Sequence, residues 1–227
     1  MIKIKKGLDL PITGAPEQTI EAAPTVKSVA AFGPDYIGMR PTMRVVVGDR
    51  VRCGQVLFTD KKNPGVRFNS PAAGVVSAIH RGAKRALLSV VIELDGDEAE
   101  AFARYEADQL DTLDRRSVQA NLIESGLWTA IRTRPYSRVP APESEPRAIF
   151  VSAMDSTPLA PSPALVIADQ PEGFKNGLRV LTCLTDGKLH VGKAPGSELP
   201  IPNSDRIQVT EFDGPHPAGL VLSLIHI

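Results

Sequence analysis

The stretch VVVGDRVRCGQVL at residues 45–57, followed by SPAAGVV at residues 70–76, decides the fold of the first part of the chain. Gly48-Asp49 is a turn dipeptide that closes the β-branched run 45–47, so this run is predicted to be a strand. Further on, apolar and polar residues alternate with the period of half-buried strands, most strongly over residues 87–94. Short strands separated by turns every roughly eight to twelve residues predict a small β-barrel or β-sandwich.

The spacing V-x-x-G-D-x-V-x-x-G-Q-x-L also resembles the biotinyl/lipoyl carrier fold, a barrel-sandwich hybrid. Members that act as carriers hold a modifiable lysine at the tip of the central hairpin. In this chain the spacing places the tip at Asn63 or Pro64, and Lys61 and Lys62 are out of register. We therefore expect residues 1–98 to form a carrier-like β domain that carries no group, with both lysines as solvated turn residues.

The pattern changes to mixed helix and strand over residues 99–221. An amphipathic helix is predicted at residues 114–125, because its apolar residues follow helical spacing and Gly126 stands at the C-cap position. Further elements follow in alternation, with a helix at 172–184 and strands at 148–153, 188–192 and 207–212. This order predicts an incomplete, Rossmann-like α/β domain. No GxGxxG or GxxxxGK[ST] occurs, so a dinucleotide or nucleotide site of the usual kind is not supported.

Composition excludes several classes of function. Lys+Arg and Asp+Glu both number 26, and this zero net charge argues against a general nucleic-acid binder. Cys53 and Cys183 are far apart and belong to no Cys/His cluster, so we expect neither a metal site nor an iron–sulfur cluster. No spacing indicates a set of catalytic residues, and no apolar run is long enough for a transmembrane segment or a signal peptide.

The last six residues, LSLIHI at 222–227, can be encoded by codons that match a transposon end used to prepare DNA libraries. We therefore interpret residues 222–227 as a sequencing or cloning artefact and give His226 no functional weight. The natural reading frame is then expected to continue beyond Leu220 or Val221.

A resemblance to a known family rests on long strings of mixed composition that extend from residue 2 to about 220. The chain resembles the A subunit of the bacterial Na⁺-translocating NADH:quinone oxidoreductases. The strings are IKIKKGLDLPI at 2–12, GPDYIGMRP at 33–41, SGLWTA at 125–130, RTRP at 132–135 and FDGPHPAG at 212–219.

The resemblance implies a peripheral subunit on the cytoplasmic side of the bacterial inner membrane, within a respiratory translocase. The complex is implied to use NADH, FMN, FAD, riboflavin, iron–sulfur clusters and ubiquinone, and to hold this chain mainly against its membrane-embedded B subunit. This chain is implied to bind none of these cofactors itself, and the fragment alone is expected to be inactive. In the related flavin-bearing subunit of complex I the segment after the helix is glycine-rich, whereas here it holds the bulky Leu127, Trp128 and Ile131.

Two groups of residues are candidate sites. An interface with a partner subunit or with lipid phosphates is predicted at Trp128, Arg132, Arg134, Tyr136 and Arg138, because clustered arginines beside aromatic residues are favoured at interfaces. A quinone contact is predicted at Gly214, Pro215 and His216, since the histidine stands between two prolines at a strand end. The simpler interpretations are a solvated loop for the arginines and a turn for Pro-His-Pro.

Two other functions compete with the respiratory subunit. One is a soluble scaffold for a biotin- or lipoyl-dependent enzyme, which the missing tip lysine disfavours. The other is the C subunit of an Rnf-type electron-transport complex, which needs cluster cysteines that this sequence lacks.

Overall fold

The order of strands and helices follows the two patterns in the sequence. The computed structural model describes residues 1–226, with side chains as far as Leu224. The strands of this part are β1 (Ile2–Lys3), β2 (Ser28–Phe32), β3 (Pro41–Met43), β4 (Arg50–Val51), β5 (Val56–Asp60), β6 (Arg67–Asn69), β7 (Gly74–Arg81), β8 (Leu87–Leu94), β9 (Ile149–Ala153), β10 (Leu189–Lys193) and β11 (Ile207–Asp213). The α-helices are α1 (Arg115–Glu124), α2 (Pro163–Asp169) and α3 (Pro171–Thr182).

One compact unit, the β unit, comprises Ala23–Arg104 and Arg116–Ser144. Its strands form two antiparallel sheets, with the orders β2-β8-β7-β4 and β3-β5-β6. Inward-facing residues of these strands supply the core, where the Phe58 and Phe68 rings stack at 4.6 Å and Tyr36 meets Phe68 edge-on. Each such fully buried apolar side chain stabilises the fold by about 1.5–3 kcal/mol. The β-rich fold predicted for this part is confirmed.

The strand predicted at residues 45–47 is wrong. Asp49 accepts the N–H of Val46 at 2.8 Å through its carboxylate, and Gly48 adopts φ +96°, so the three valines enter a turn. Val45 is buried, but Val46 and Val47 are exposed. The polar turn residues override the β preference of the valines, and the strand forms earlier, at β3.

The second compact unit, the α/β unit, comprises Met1–Ala22, Tyr105–Arg115 and the residues from Glu145 onward. Its sheet is parallel, in the order β1-β11-β10-β9. Buried Leu189 and Val191 of β10 pack with Leu178 of α3, a helix that begins at Pro171. The parallel sheet confirms the α/β fold predicted for the second part.

Both units are assembled from separate segments. Ile2 pairs with Phe212, which brings the N-terminal strand to the sheet of the α/β unit. Helix α1 belongs to the β unit, where the Asn69 side chain donates to the carbonyl of Glu124 at 2.7 Å. The packing therefore groups residues 1–22 and 116–144 differently from a linear division at residue 98, and the boundaries drawn from sequence stay a prediction.

The described part of the chain contains no helix that is both long enough and apolar enough to cross a membrane. Ser223–His226 form a short 3-10 turn. The interpretation of residues 222–227 as an artefact stays a prediction, and the His226 side chain and Ile227 lie outside the described residues.

Candidate functional site

The loop that carries His216 leaves the carboxyl end of β11, the end at which open parallel sheets place their ligands. Gly214 adopts φ +124°, and a Cβ atom there would overlap the carbonyl oxygen of Ile4. Gly219 lies against Met154, which directly follows β9, and leaves equally little room. Because these two glycines have no Cβ atom, the loop can pack closely against the N-terminal segment on one side and the end of β9 on the other.

The N-terminal segment fixes the backbone of His216. The Asp9 carboxylate accepts the N–H of His216 at 2.9 Å, and the N–H of Leu8 donates to the His216 carbonyl at 3.0 Å. Gly7 lies against the same carbonyl, where a Cβ atom would collide with it. Both the N–H and the carbonyl of His216 are therefore hydrogen-bonded, which fixes the backbone position from which its side chain projects.

The imidazole ring is oriented by Ser156. Nδ1 of His216 lies 3.1 Å from the carbonyl oxygen of Ser156 and 3.4 Å from the Ser156 hydroxyl. This hydroxyl donates to the Ala218 carbonyl at 2.8 Å. Because a carbonyl oxygen only accepts, Nδ1 is assigned the proton. Neutral His216 then presents a lone pair at Nε2, for which the described residues provide no partner.

His216 is half-buried, and the side chain of Leu8, whose N–H donates to the His216 carbonyl, is exposed. Nε2 can accept a hydrogen bond from a hydroxyl group when the ring is neutral and can donate one to a carbonyl oxygen when it is protonated. A half-buried histidine with one nitrogen anchored and one available suits a small ligand that interconverts carbonyl and hydroxyl groups.

Two of the five predicted interface residues make side-chain contacts within the β unit. Trp128 is buried and donates its indole N–H to the carbonyl of Pro140 at 2.9 Å. Arg132 lies over the Tyr36 ring, with 5.3 Å from guanidinium carbon to ring centroid, and also donates to the Ile131 carbonyl at 3.1 Å. These two side chains hold the segment in place, and their role in an interface stays a prediction.

The other three, Arg134, Tyr136 and Arg138, are exposed on a tight turn. The turn is closed by Thr133, whose N–H and hydroxyl both donate to the Arg138 carbonyl, at 2.8 and 3.0 Å. No carboxylate is paired with Arg134 or Arg138 in the part of the chain that the structure describes. The turn therefore displays two cations and one phenol to solvent.

The turn between β5 and β6 contains the residues at which the sequence spacing predicts the tip of the central hairpin. The Asn63 side chain donates to the carbonyls of Val139 and Pro140, at 3.2 and 3.0 Å, which ties the turn to the segment after the arginines. Lys61 and Lys62 are exposed beside it. A turn tied in this way differs from the freely presented tip of a carrier.

Among the described residues, no group of three or more His, Cys, Asp and Glu side chains converges in a way that could hold a metal ion. Cys53 and Cys183 are unpaired thiols. Burial raises the pKa of the Cys183 thiol and so favours the neutral form over the thiolate that binds metals and attacks electrophiles.

Sequence patterns did not reveal the residues that position these side chains. Asp9 and Ser156 hold His216, and Asp35 accepts from Arg132 through its carbonyl at 3.4 Å. Asp9 and Asp35 fall inside the family strings at 2–12 and 33–41, the one signal that could have drawn attention to them. Ser156 lies in none of those strings.

Two family models match the chain. The model of the NqrA N-terminal barrel-sandwich hybrid domain matches residues 2–95, and that of the NqrA second alpha/beta domain matches residues 113–227. Both agree with the sheets described above, and they confirm the barrel-sandwich hybrid predicted from the spacing of glycines and valines.

Relatives that bear the name of the A subunit of Na(+)-translocating NADH-quinone reductase align over 226 residues. The identity is 57% for the protein of Shewanella amazonensis, 61% for that of Pseudomonas aeruginosa PAO1 and 56% for that of Yersinia pestis. The alignments cover 100% of this chain and 50–51% of the relatives, so the chain spans about half their length. Since both domain models match in order, the chain belongs to the NqrA family and contains its N-terminal barrel-sandwich hybrid domain and its second α/β domain.

Proposed function

We propose that this chain is part of the A subunit of a Na⁺-translocating NADH-quinone reductase, a respiratory translocase. The observation that carries the proposal is the identity of 56–61% to proteins of that name, maintained over 226 residues that span both domains. The complex so named takes electrons from NADH and delivers them to quinone.

Within the complex we assign a structural part to this chain, with NADH oxidation, flavins and iron–sulfur clusters on other subunits. The donor set supports this division, because the described residues provide no converging cluster of cysteine, histidine and carboxylate ligands. The segment after α1 supports it too, since it places Leu127 and Trp128 where a flavin-phosphate loop needs glycine.

We further propose that the protein docks peripherally on the cytoplasmic side of the membrane, against the membrane-embedded B subunit and its neighbours. The proposal rests on membership in the family. Of the candidate interface residues, Arg134, Tyr136 and Arg138 are the ones whose side chains are exposed and available for contacts outside the chain.

A contact between His216 and ubiquinone is the finer part of the proposal. Reduction of a quinone to its quinol consumes two electrons and two protons, so a donor at the carbonyl oxygen assists the reaction. Protonated His216 donates from Nε2 to that oxygen while Nδ1 stays bonded to Ser156. The two electrons come from NADH through the other subunits, and the second proton comes from solvent. After its proton transfer, neutral Nε2 accepts from the quinol hydroxyl and is reprotonated from solvent.

The test is to tag the completed gene in its own organism and purify the protein from membranes. We expect a flavin-containing membrane complex to copurify with the tagged protein. A protein that purifies alone, or that is labelled with biotin or lipoate, contradicts the proposal and favours the carrier scaffold.

A further inference from the structure

Three loops of the β unit, at residues 33–41, 60–65 and 132–142, contact one another and form what we call the basic loop surface. The N–H of Lys61 donates to the carbonyl of Arg40 at 2.8 Å, which joins the first two loops. Asn63 bonds to Val139, which joins the second loop to the third. The Arg138 side chain lies 3.7 Å from the position that a Cβ atom of Gly38 would occupy, so the third loop also lies against the first.

The basic loop surface concentrates positive charge in a chain of zero net charge. Its loops hold six cationic side chains, Arg40, Lys61, Lys62, Arg132, Arg134 and Arg138, against two carboxylates. One of these, Asp60, already accepts the backbone N–H groups of Arg40 and Lys62, both at 2.9 Å. The surface therefore creates a local positive electrostatic potential.

Most of these cations have no counter-charge. Elsewhere in the β unit Arg50 pairs with Asp95, and Arg52 lies 3.4 Å from Glu100. By contrast, among the side chains that the structure describes, no ion pair is formed by the five exposed cations, Arg40, Lys61, Lys62, Arg134 and Arg138. They are free to bind an external anionic surface without first breaking an internal pair.

Two exposed side chains with apolar surface accompany the cations. Ile37 is 53% exposed and Tyr136 is 72% exposed, each on one of the loops that carry arginine. A tyrosine ring has an apolar body and a polar hydroxyl, a combination enriched at the level of lipid headgroups. Ile37 can enter the acyl boundary beside it.

We propose that the basic loop surface binds the phosphate headgroups of an anionic membrane, with Ile37 and Tyr136 at headgroup level. Arginine and tyrosine suit either partner, but the exposed Lys61 and Lys62 favour lipid over an acidic protein, because lysine is depleted at protein–protein interfaces. A layer of phosphates satisfies mobile lysine and arginine side chains without a fixed partner shape. The inference rests on the proposed function only in placing the protein beside a membrane.

The experiment uses the full-length protein, purified without its partners, and sedimentation with vesicles. Vesicles of phosphatidylcholine with phosphatidylglycerol are compared with vesicles of phosphatidylcholine alone. We expect binding to the anionic vesicles that weakens with added salt. The triple variant Lys62→Gln/Arg134→Gln/Arg138→Gln is expected to bind roughly 100-fold more weakly, at about fivefold for each cation lost.

The charge-matched control is Lys5→Gln/Lys27→Gln/Arg116→Gln, which removes three exposed cations outside the basic loop surface and is expected to retain binding. Circular dichroism spectra and denaturant midpoints of each variant verify that it is folded. Equal binding to both kinds of vesicle, or equal losses in the two triple variants, overturns the proposal.

A protein partner gives a different result. If the first triple variant binds anionic vesicles normally but fails to assemble with the other subunits, the surface belongs to an acidic protein and the lipid proposal is wrong. Sodium-stimulated quinone reduction by the complex is measured separately. Its absence together with normal vesicle binding contradicts the proposed function and leaves the lipid proposal standing.

Discussion

The groups around His216 fix the orientation of its imidazole ring. Its backbone bonds to Asp9 and Leu8, and its Nδ1 lies 3.1 Å from the Ser156 carbonyl. What remains available for a ligand is Nε2. A substitution that keeps the first nitrogen and removes the second therefore separates the proposed ligand contact from structural support.

His216→Asn is such a substitution, because the asparagine amide can still donate to the Ser156 carbonyl from near the Nδ1 position. We expect kcat/KM for quinone to fall about 10-fold, the effect of roughly one hydrogen bond, with KM for NADH unchanged. Steady-state kinetics of the purified complex measure both values. The control is His80→Asn, at an exposed histidine of β7. Quinone kinetics of His216→Asn that equal those of the control contradict the role given to Nε2.

Gly214 is a second residue whose identity is dictated by its neighbours. Its φ of +124° is unfavourable for any side chain, and a Cβ atom would overlap the carbonyl of Ile4. We expect Gly214→Ala to lower the free energy of unfolding by roughly 2–4 kcal/mol, measured by denaturant titration of the full-length protein. Gly196→Ala, with φ +70° and no atom within 4 Å of the new Cβ, should cost only about 1 kcal/mol. Equal costs at the two glycines would show that the loop is not tightly packed.

At the scale of elements, patterns local in sequence were the ones that predicted correctly. Strand β8 occupies Leu87–Leu94 as expected, and α1 ends at Glu124, with Gly126 at φ +81° after it. The valines at 45–47 misled because a side-chain bond from Asp49 competes with strand pairing. Composition also does not reveal that the indole of Trp128 reaches the buried carbonyl of Pro140.

Long-range pairings set the limit for the candidate site. His216 was placed at a strand end from the sequence, and the structure places it there. Its partners Asp9 and Ser156 are 207 and 60 residues away, and no periodicity links such positions. The pairing of β1 with β11, which brings Asp9 to this loop, is likewise invisible to a local pattern.

Strand β10 leads to a prediction about pH. His190 stacks on Phe150, with 4.9 Å between ring centroids, and burial, assisted by Lys188, lowers the pKa of His190 below its ordinary value of 6.5. The unfolded chain then binds the proton at a higher pH than the folded chain does. The contribution of His190 to stability is therefore present above about pH 6.5 and is lost as the pH falls through the lowered pKa.

His190→Phe keeps a ring against Phe150 and removes the titrating group. We expect stability of the variant to depend less on pH between about 7.5 and 5.5 than that of the natural protein. Denaturant midpoints of both proteins across this range give the comparison, in which groups common to both cancel. Parallel pH profiles contradict the assignment of the shift to His190.

For the whole molecule, the arrangement of charge and of candidate groups matters more than any total. Although the net charge is zero, the β unit carries the basic loop surface. The loop that contains His216 belongs to the α/β unit. These features suit a protein that holds surfaces and ligands for a larger assembly.

The most direct test is sodium dependence of NADH-driven quinone reduction in membranes, after deletion of the gene and complementation with its complete form. We predict that deletion abolishes the sodium-stimulated fraction of the activity and that complementation restores it. The sodium-independent fraction, from other dehydrogenases, should stay unchanged. Sodium-stimulated activity that persists at its full rate without the gene contradicts the assignment of this chain to the sodium-translocating reductase.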